Sequence, residues 1–218
     1  MIKASLFAAG LASIVGSAAS ADVIAGWSMP TAVAASTTGA TYSYGAANSG
    51  ALVSGSMLSG THSSASTVWS SPAGNGSTYA LSSNGWNVGD YYQISLATTG
   101  YSSVSVAWEQ TRSSTGPAGF EAVLSVDGGS TFSSLGSYTV NQVSWNATVP
   151  VTTSSFASLA SAADNQASVI IRFKVVTAGT STTTGTNRID NISVTGAVPA
   201  PGAIALIGLA GLVARRRS

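Results

Sequence analysis

Cysteine is absent from this 218-residue sequence, and histidine is nearly so. Without cysteine the chain can form no disulfide, no thiolate zinc site and no cysteine nucleophile. The single histidine, His62, lies in a Ser/Thr-rich stretch with no acidic neighbour, which favours a solvated loop residue over a catalytic base. A domain built from this chain must therefore be held together by its apolar core.

Charge is scarce as well, at 7% of all residues. Between Asp22 and Val198 there are seven acidic side chains and four cationic ones, which gives a formal charge of −3. The four cationic residues are Arg112, Arg172, Lys174 and Arg188. Such a mildly acidic domain has no basic footprint, so nucleic acid and anionic membrane surfaces are poor partners for it.

What the sequence does contain is apolar and β-forming. Hydrophobic residues make up 44% of it, with five Trp and seven Tyr, which is too apolar and aromatic for a disordered chain. Serine and threonine exceed a quarter of the residues, and glycine occurs 24 times. Abundant Thr, Val, Tyr and Gly, with little Lys, Glu or Leu, favours strands joined by turns.

Alternation of apolar and polar residues marks the clearest strands. In Ser103–Glu109 the side chains of Val104, Val106 and Trp108 share one face, as in a half-buried strand. The other strands predicted are 22–27, 41–44, 51–58, 91–96, 120–126, 145–151, 168–176 and 189–194, with weaker apolar segments at 68–69 and 79–81. A short helix is predicted at 155–165 and a Ser/Thr loop at 179–185.

About ten short strands with glycine-rich turns and almost no helix predict an all-β fold. We expect an antiparallel two-sheet sandwich of jelly-roll type over residues 22–196, with Trp27 in its core. A β-propeller would require repeated blades, and the sequence has no internal period.

One short segment predicts a specific turn. Ser125, Asp127, Gly129, Thr131 and Phe132 fit the pattern S-x-D-x-G-x-T-[FW]. This pattern resembles the Asp-box that recurs in sialidase-like propellers and occurs singly in many exported β domains. The resemblance implies a structural turn, in which the Asp side chain accepts backbone N–H groups and the aromatic ring packs beneath.

The segment from Arg188 to Val194 resembles the last strand of many bacterial jelly-roll domains, including carbohydrate-binding modules. The resemblance implies that an acid in this strand can help to hold a structural Ca²⁺. Asp190 and Asn191 offer oxygen ligands for such an ion, but calcium needs six or more, and the sequence does not show the others. A turn or cap role for Asp190 is the alternative, and no other cofactor is expected.

Two further groups of residues could carry a function. If their strands pair, Glu109 and Glu121 could approach each other as a glycosidase pair does, although two such residues more often form a wet face. Five aromatic residues could form a sugar-stacking platform or belong in part to the core. They are Tyr42, Tyr44, Trp86, Tyr91 and Tyr92.

The N-terminal segment has the layout of a secretory signal peptide. A single positive charge at Lys3 precedes an apolar stretch of small residues, and Ala19-Ser20-Ala21 forms an A-x-A cleavage site. We expect cleavage after Ala21, so that residues 1–21 are removed. An uncleaved N-terminal anchor is the alternative.

The C-terminal segment, residues 197–218, has three parts. The first is the proline motif Val198-Pro199-Ala200-Pro201-Gly202, the second an uncharged run at 203–214, and the third the cluster Arg215, Arg216 and Arg217. Extended back to Ala197, the uncharged stretch reaches 18 residues, which is about the minimum that crosses a bilayer as a helix. The prolines disfavour helix before them, so we expect the helical part to be short and to begin near Gly202. The arginines would hold its end in the cytoplasm. An ordinary tail anchor or a docked terminal helix would also fit.

This tripartite segment resembles the PEP-CTERM sorting signal of Gram-negative bacteria, with Ala200 where the family usually has Glu. The resemblance implies that export machinery and an exosortase-type membrane peptidase act on the chain. It also implies transient insertion in the inner membrane through the C-terminal helix, followed by delivery to the cell surface or extracellular polymer.

The sequence contains no recognisable catalytic constellation between these two ends. We therefore expect a non-enzymatic protein of the cell surface or extracellular matrix with a structural or adhesive role. A carbohydrate-binding module for extracellular polysaccharide is the alternative, and a glycoside hydrolase acting through Glu109 and Glu121 is a third possibility.

Overall fold

The computed structural model describes residues 21–151, 154–159 and 161–198. The predicted signal peptide up to Ser20 and the predicted sorting segment from Pro199 onward, including Pro201, Gly202 and the three terminal arginines, lie outside the described residues. Within the described part, no helix has the length and hydropathy needed to cross a membrane.

The described chain consists of short strands joined by turns. In chain order the strands are β1 Ala21–Trp27, β2 Thr41–Gly45, β3 Met57–Thr61, β4 Trp69–Ser70, β5 Leu81–Ser83, β6 Tyr91–Leu96, β7 Ser102–Arg112, β8 Gly119–Ser125, β9 Ser133–Thr139, β10 Ser154–Ser158, β11 Val169–Thr177 and β12 Asn187–Ala197. One turn of 3-10 helix lies at Ser161–Ala163.

These strands form two antiparallel sheets. Sheet 1 has the order β10-β7-β12-β5-β4, and β1 also pairs with β12. Sheet 2 has the order β2-β3-β6-β11-β8-β9. The long strand β12 pairs with β5 through Asn187–Ile189 and with β1 from Ile192 to Ala197, so one strand joins two parts of sheet 1. The predicted antiparallel sandwich of jelly-roll type is confirmed.

The core lies between the two sheets and is rich in tryptophan. Val104, Val106 and Trp108 of β7 are each at most 2% exposed, as the alternation predicts. The ring of Trp108 lies 4.5 Å from that of Phe173 on β11, so the two sheets meet through aromatic contacts. Trp27, expected in the core, is 1% exposed. Each such side chain contributes on the order of 2 kcal/mol through burial.

The strand predicted at 145–151 is wrong, because this segment is a loop. Asn146 Oδ1 accepts the backbone N–H groups of Thr148 and Val149, at 3.0 and 2.7 Å, which bends the chain. Pro150 has no N–H to give to a ladder, and Val149 is 60% exposed. A local side-chain turn therefore overrides the apolar alternation.

The helix predicted at 155–165 is also wrong. Residues Ser154–Ser158 form β10, which pairs with β7 from Ser154 opposite Glu109 to Ser158 opposite Ser105. The edge of β7 offers backbone partners that the local sequence does not reveal, so tertiary pairing decides the structure. Helical geometry is limited to the single turn Ser161–Ala163.

Other differences concern strand limits. The strand predicted at 51–58 begins only at Met57 and continues to Thr61. The strand β9 was not predicted, because its serine- and glycine-rich sequence has no apolar alternation and it pairs only with β8 at the edge of sheet 2. Val126, predicted on the apolar face of β8, lies beyond that strand and is 39% exposed.

Candidate functional site

Two loops cover part of the outer face of sheet 1, and a network of polar side chains holds them there. Asp190 of β12 and Glu109 of β7 lie directly opposite each other on this face. Asp190 is fully buried, and its Oδ2 accepts hydrogen bonds from Asn75 N at 2.8 Å and from Ser77 Oγ at 2.5 Å. The loop at 72–80 is therefore attached to β12 through a buried carboxylate.

The neighbouring carboxylate is held in the same way. Glu109 Oε2 accepts hydrogen bonds from the side-chain amides of Asn75 and Asn191, both at 2.8 Å. Asn75 Oδ1 in turn accepts the N–H of Val151 at 2.7 Å, which attaches the second loop, 141–151. We call Asn75, Ser77, Glu109, Asp190 and Asn191 the acid network.

Burial controls the protonation of Asp190. It raises the pKa of this carboxyl above its ordinary value, and the Glu109 carboxylate raises it further. The donors Ser77, Asn75 and Asn191 act in the opposite direction, because they stabilise the ionised form. The network therefore depends on its donors to keep a buried carboxylate in place.

The acid network fits hydrogen bonding better than calcium binding. Calcium requires oxygen lone pairs, whereas the groups turned toward Asp190 and Glu109 are N–H and O–H donors. Asn191 turns its amide nitrogen, not its oxygen, toward Glu109. Within the described residues, no three His, Cys, Asp or Glu side chains gather as metal ligands would. Calcium at Asp190 and Asn191 stays a prediction, without support from these contacts.

The prediction that His62 is a solvated loop residue is wrong. Its side chain is buried, with ring centroids 4.9 Å from Trp69 and 4.1 Å from Trp86. Its Nε2 lies 3.1 Å from Ser83 Oγ and its Nδ1 lies 3.3 Å from Asp90 Oδ2. All of these partners are at least seven residues away in the sequence, so local composition could not reveal them.

Ser83, His62 and Asp90 thus form the hydrogen-bonded series of a hydrolase triad, but they are buried in the core. Ser83 is 0% exposed, so no substrate can reach its hydroxyl. Asp90 accepts the N–H groups of Asn87 and Ser63, which fixes the surrounding loops. Burial alone would raise the pKa of Asp90, but these hydrogen bonds and the one from His62 outweigh it and lower that pKa.

The two glutamates considered as a glycosidase pair lie on opposite sides of the sandwich. Glu109 is on the outer face of sheet 1, within the acid network. Glu121 is on the outer face of sheet 2, where its Oε2 pairs with Lys174 Nζ at 3.1 Å. They cannot act on the same glycosidic bond.

The five aromatic residues considered as a platform are divided between the core and the surface. Trp86 and Tyr92 are 0% exposed and belong to the core. Tyr42 stacks on Trp69 at 5.5 Å, and Tyr44 also packs against the core. Tyr91 lies on the outer face of sheet 2 beneath the guanidinium of Arg172, at 4.2 Å. No shared stacking surface results.

The Asp-box-like segment forms a turn that is tied by its own side chains. Asp127 accepts hydrogen bonds from Thr131 Oγ1 at 2.5 Å, Thr131 N at 3.0 Å and Ser125 Oγ at 2.7 Å. The Thr131 donors, followed by Ser125, hold the pKa of Asp127 well below its ordinary value. Ser125 Oγ also accepts Gly129 N at 2.9 Å, and Phe132 packs against Arg172.

A pocket of about 270 Å³ lies between the outer face of sheet 1 and the loop 141–151. Its lining includes Thr111, Arg112, Gln142, Trp145, Thr186 and Arg188. Thr111 Oγ1 donates to Val143 O at 2.6 Å and accepts a hydrogen bond from Val143 N at 3.0 Å. These two bonds attach the loop 141–151 to β7. Trp145 is 6% exposed and forms an apolar wall, not an open platform.

Two arginines line this pocket and differ in their contacts. Arg112 donates from Nε to Val140 O at 3.0 Å and from Nη1 to Ser113 O at 3.1 Å. Arg188 projects from β12 beside Thr111, and its guanidinium has no hydrogen bond or ion pair with any residue in the described part of the chain. Burial lowers the pKa of Arg188.

Sequence reasoning missed this pocket. The sequence pattern places Trp145 on a strand, and it marks Arg188 as one of four cationic residues and as the start of the motif around Asp190. One signal was available in the sequence, namely the scarcity of cationic residues between Asp22 and Val198. A rare arginine is a candidate for ligand binding, but only the fold brings Arg112, Arg188 and the loop 141–151 together.

The fold and the pocket define an all-β sandwich with a polar, cationic cavity on one outer face. No protein-family model and no curated protein matches the chain. Among solved structures, the K1 cleaved adhesin domain of Lys-gingipain from Porphyromonas gingivalis W83 is 12% identical with a TM-score of 0.42, covering 78% of this chain and 95% of that chain.

Two carbohydrate-binding domains are similar at the same level. The xylan-binding domain from CBM 22 is 13% identical with a TM-score of 0.39, covering 73% of this chain and 95% of that chain. TmCBM61, solved in complex with β-1,4-galactotriose, is 12% identical with a TM-score of 0.38, covering 64% and 86%. These likenesses concern the fold alone.

Proposed function

We propose that this chain is an exported, non-enzymatic domain of the cell surface or extracellular matrix that adheres to polysaccharide. The observation that carries this proposal is the pocket between sheet 1 and the loop 141–151, in which Arg188 has no partner among the described residues. Concave sites with a few convergent polar groups are where proteins bind small ligands and sugar units.

The lining of the pocket suits a hydroxylated ligand. Gln142 and Thr186 make no side-chain hydrogen bonds within the described residues, so both can bind ring hydroxyls. The wall formed by Trp145 supplies apolar contact for the C–H groups of a sugar. At about 270 Å³ the pocket is near the lower end of ligand sites, roughly 300 Å³, which suits a short portion of a chain.

A non-enzymatic role is supported by the position of the reactive side chains. The Ser83–His62–Asp90 series is buried, and the two glutamates face away from each other. Neither arrangement combines an exposed nucleophile or acid with a space for substrate, as catalysis requires.

Retardation in polysaccharide gels tests the binding proposal. We expect the mature protein to migrate more slowly in at least one acidic or neutral polysaccharide. The double variant Gln142→Ala/Thr186→Val removes two hydrogen-bonding groups and should bind at least about fivefold more weakly, since each bond contributes about 1 kcal/mol. Ser137→Ala, on the exposed face of sheet 2, is the matched control. A protein that no polysaccharide retards would contradict the proposal.

Export remains part of the proposal and is supported by the two terminal sequences. We propose that residues 1–21 act as a signal peptide and that residues 197–218 act as a PEP-CTERM-like signal for an exosortase-type peptidase. Mass spectrometry of the protein from its host should show Asp22 as the first residue and loss of Arg215–Arg217. Recovery of the full-length chain from the cytosol would contradict this.

A further inference from the structure

The cationic side chains of this domain are distributed unevenly. Only four lie between Asp22 and Val198. On sheet 2, Lys174 pairs with Glu121 at 3.1 Å, and Arg172 donates to Gln93 and packs between two aromatic rings. The other two, Arg112 and Arg188, both line the pocket on sheet 1. Half of the positive charge of a mildly acidic domain therefore lies in one cavity.

No carboxylate compensates this charge within the described residues. The ion pairs found there, within 4 Å, are Lys174 with Glu121 and His62 with Asp90. Arg112 gives its N–H groups to neutral carbonyls, which leaves its charge unbalanced. Glu109 and Asp190 share the face with Arg188, but the donors of the acid network occupy both oxygens of Asp190 and Oε2 of Glu109, and neither acid lies within ion-pair distance of Arg188.

A partly buried guanidinium without a partner is costly, because its N–H groups lose water and gain no acceptor. Burial lowers the pKa of Arg188, in agreement with this geometry. A carboxylate removes the cost most effectively, since it can accept two parallel hydrogen bonds from the planar guanidinium. Arg188 therefore offers a carboxylate a planar pair of donors, and the other groups of the lining suit hydroxyls.

We infer that the pocket selects an acidic sugar unit, whose carboxylate pairs with Arg188 while Gln142 and Thr186 bind hydroxyls of the same ring. This inference rests on the proposed function and specifies its ligand as a uronic-acid-containing polysaccharide. The charge of Arg112 adds attraction without direct contact. The preference for an acidic unit over a neutral one weakens as salt is added.

Calorimetric titration with a uronic-acid trisaccharide and its fully methyl-esterified form tests this directly, because the ester keeps the ring and removes the charge. The mature protein should bind the acid at least about tenfold more tightly than the ester. Arg188→Gln should abolish that preference. Arg172→Gln removes the same charge from sheet 2 and should keep it.

The possible outcomes separate the two proposals. Equal affinity for acid and ester overturns the acidic specificity while polysaccharide binding stands. Binding of neither form and of no other polysaccharide overturns both. Competition by acetate as effective as that by the trisaccharide overturns the assignment to a sugar.

A second variant keeps the test valid if Arg188→Gln folds poorly. Gln142 is exposed in the pocket lining, so Gln142→Glu alters no buried group. Its added negative charge should weaken the affinity for the acidic trisaccharide.

Discussion

The outer faces of the two sheets differ in how their charged side chains are paired. On sheet 2 each cationic side chain is matched by its neighbours, Lys174 by Glu121 and Arg172 by Gln93 and two rings. On sheet 1 the buried Asp190 and the half-buried Glu109 are held by amides and a hydroxyl, while Arg188 is left without a partner among the described residues.

This difference separates charge that maintains the fold from charge that is available to a ligand. Exposed pairs such as Lys174–Glu121 contribute about 1 kcal/mol or less, because water and salt screen them. The two acids of sheet 1 accept hydrogen bonds from the loop 72–80 and from Asn191 of β12. The loop 141–151 is attached indirectly, because Val151 donates to Asn75 Oδ1. The acid network therefore fixes both loops, and the loop 141–151 forms one side of the pocket around Arg188.

The largest effect expected is that of Asp190→Ala. The substitution leaves Asn75 N, Ser77 Oγ and Asn191 N without their acceptor, so the free energy of unfolding should fall by about 3 kcal/mol. Urea denaturation measures this change. Glu121→Ala, the corresponding acid of sheet 2, should change stability by about 0.5 kcal/mol. Equal losses for both variants would remove the distinction between the faces.

Acid pH should affect two buried aspartates with opposite sign. The pKa of Asp90 is lowered on folding, so its contribution is present above about pH 3.8 and is lost as pH falls further. The pKa of Asp190 is raised, so its carboxyl favours the fold below about pH 3.8, and this contribution is lost as pH rises.

Urea unfolding at about pH 5 and about pH 2.5 tests these signs. Asp90→Asn should lose less stability than wild type over this interval, because the variant has no carboxyl at position 90 to be protonated as the pH falls. Asp190→Asn should lose more than wild type. The same pH dependence in both variants would contradict the opposite shifts.

The smallest effects expected are those of the two arginines on stability. Arg172→Gln removes the contacts with Tyr91 and Phe132 and should lower the free energy of unfolding by about 0.5 to 1 kcal/mol. Arg188→Gln removes a charge that no residue of the described chain pairs, and should raise the free energy of unfolding by about 0.5 kcal/mol, as at sites kept for binding. Thermal unfolding without ligand compares them. A loss at Arg188 equal to that at Arg172 would show that Arg188 has a structural partner.

Much of the sandwich could be predicted from the sequence, because several strands have one solvent-facing side and one buried side. The alternation in β7, in the first part of β8 and in β11 reflects this directly. The edge strands β9 and β10 could not be found in this way. Their pairing depends on partners elsewhere in the chain, and β10 even lies in a segment with a helix-like pattern.

The candidate site was predictable only in fragments. Asp190 stood out through its local motif, but its partners Asn75 and Ser77 are 115 and 113 residues away in the sequence. The prediction for His62 is wrong for the same reason, since its neighbours Trp69, Trp86 and Ser83 come together only in the fold. Polar groups at long sequence separation leave no periodic pattern, so local reasoning cannot connect them.

The pairing of β1 with β12 gives the molecule a polarity. Ala21 lies opposite Ala197, so the described chain enters and leaves the sandwich at one pole. Arg188 lies nine residues before Ala197 on the extended strand β12, roughly 30 Å toward the other pole. A molecule tethered through the residues that follow Val198 would therefore hold its pocket outward, at the end most distant from the point of attachment.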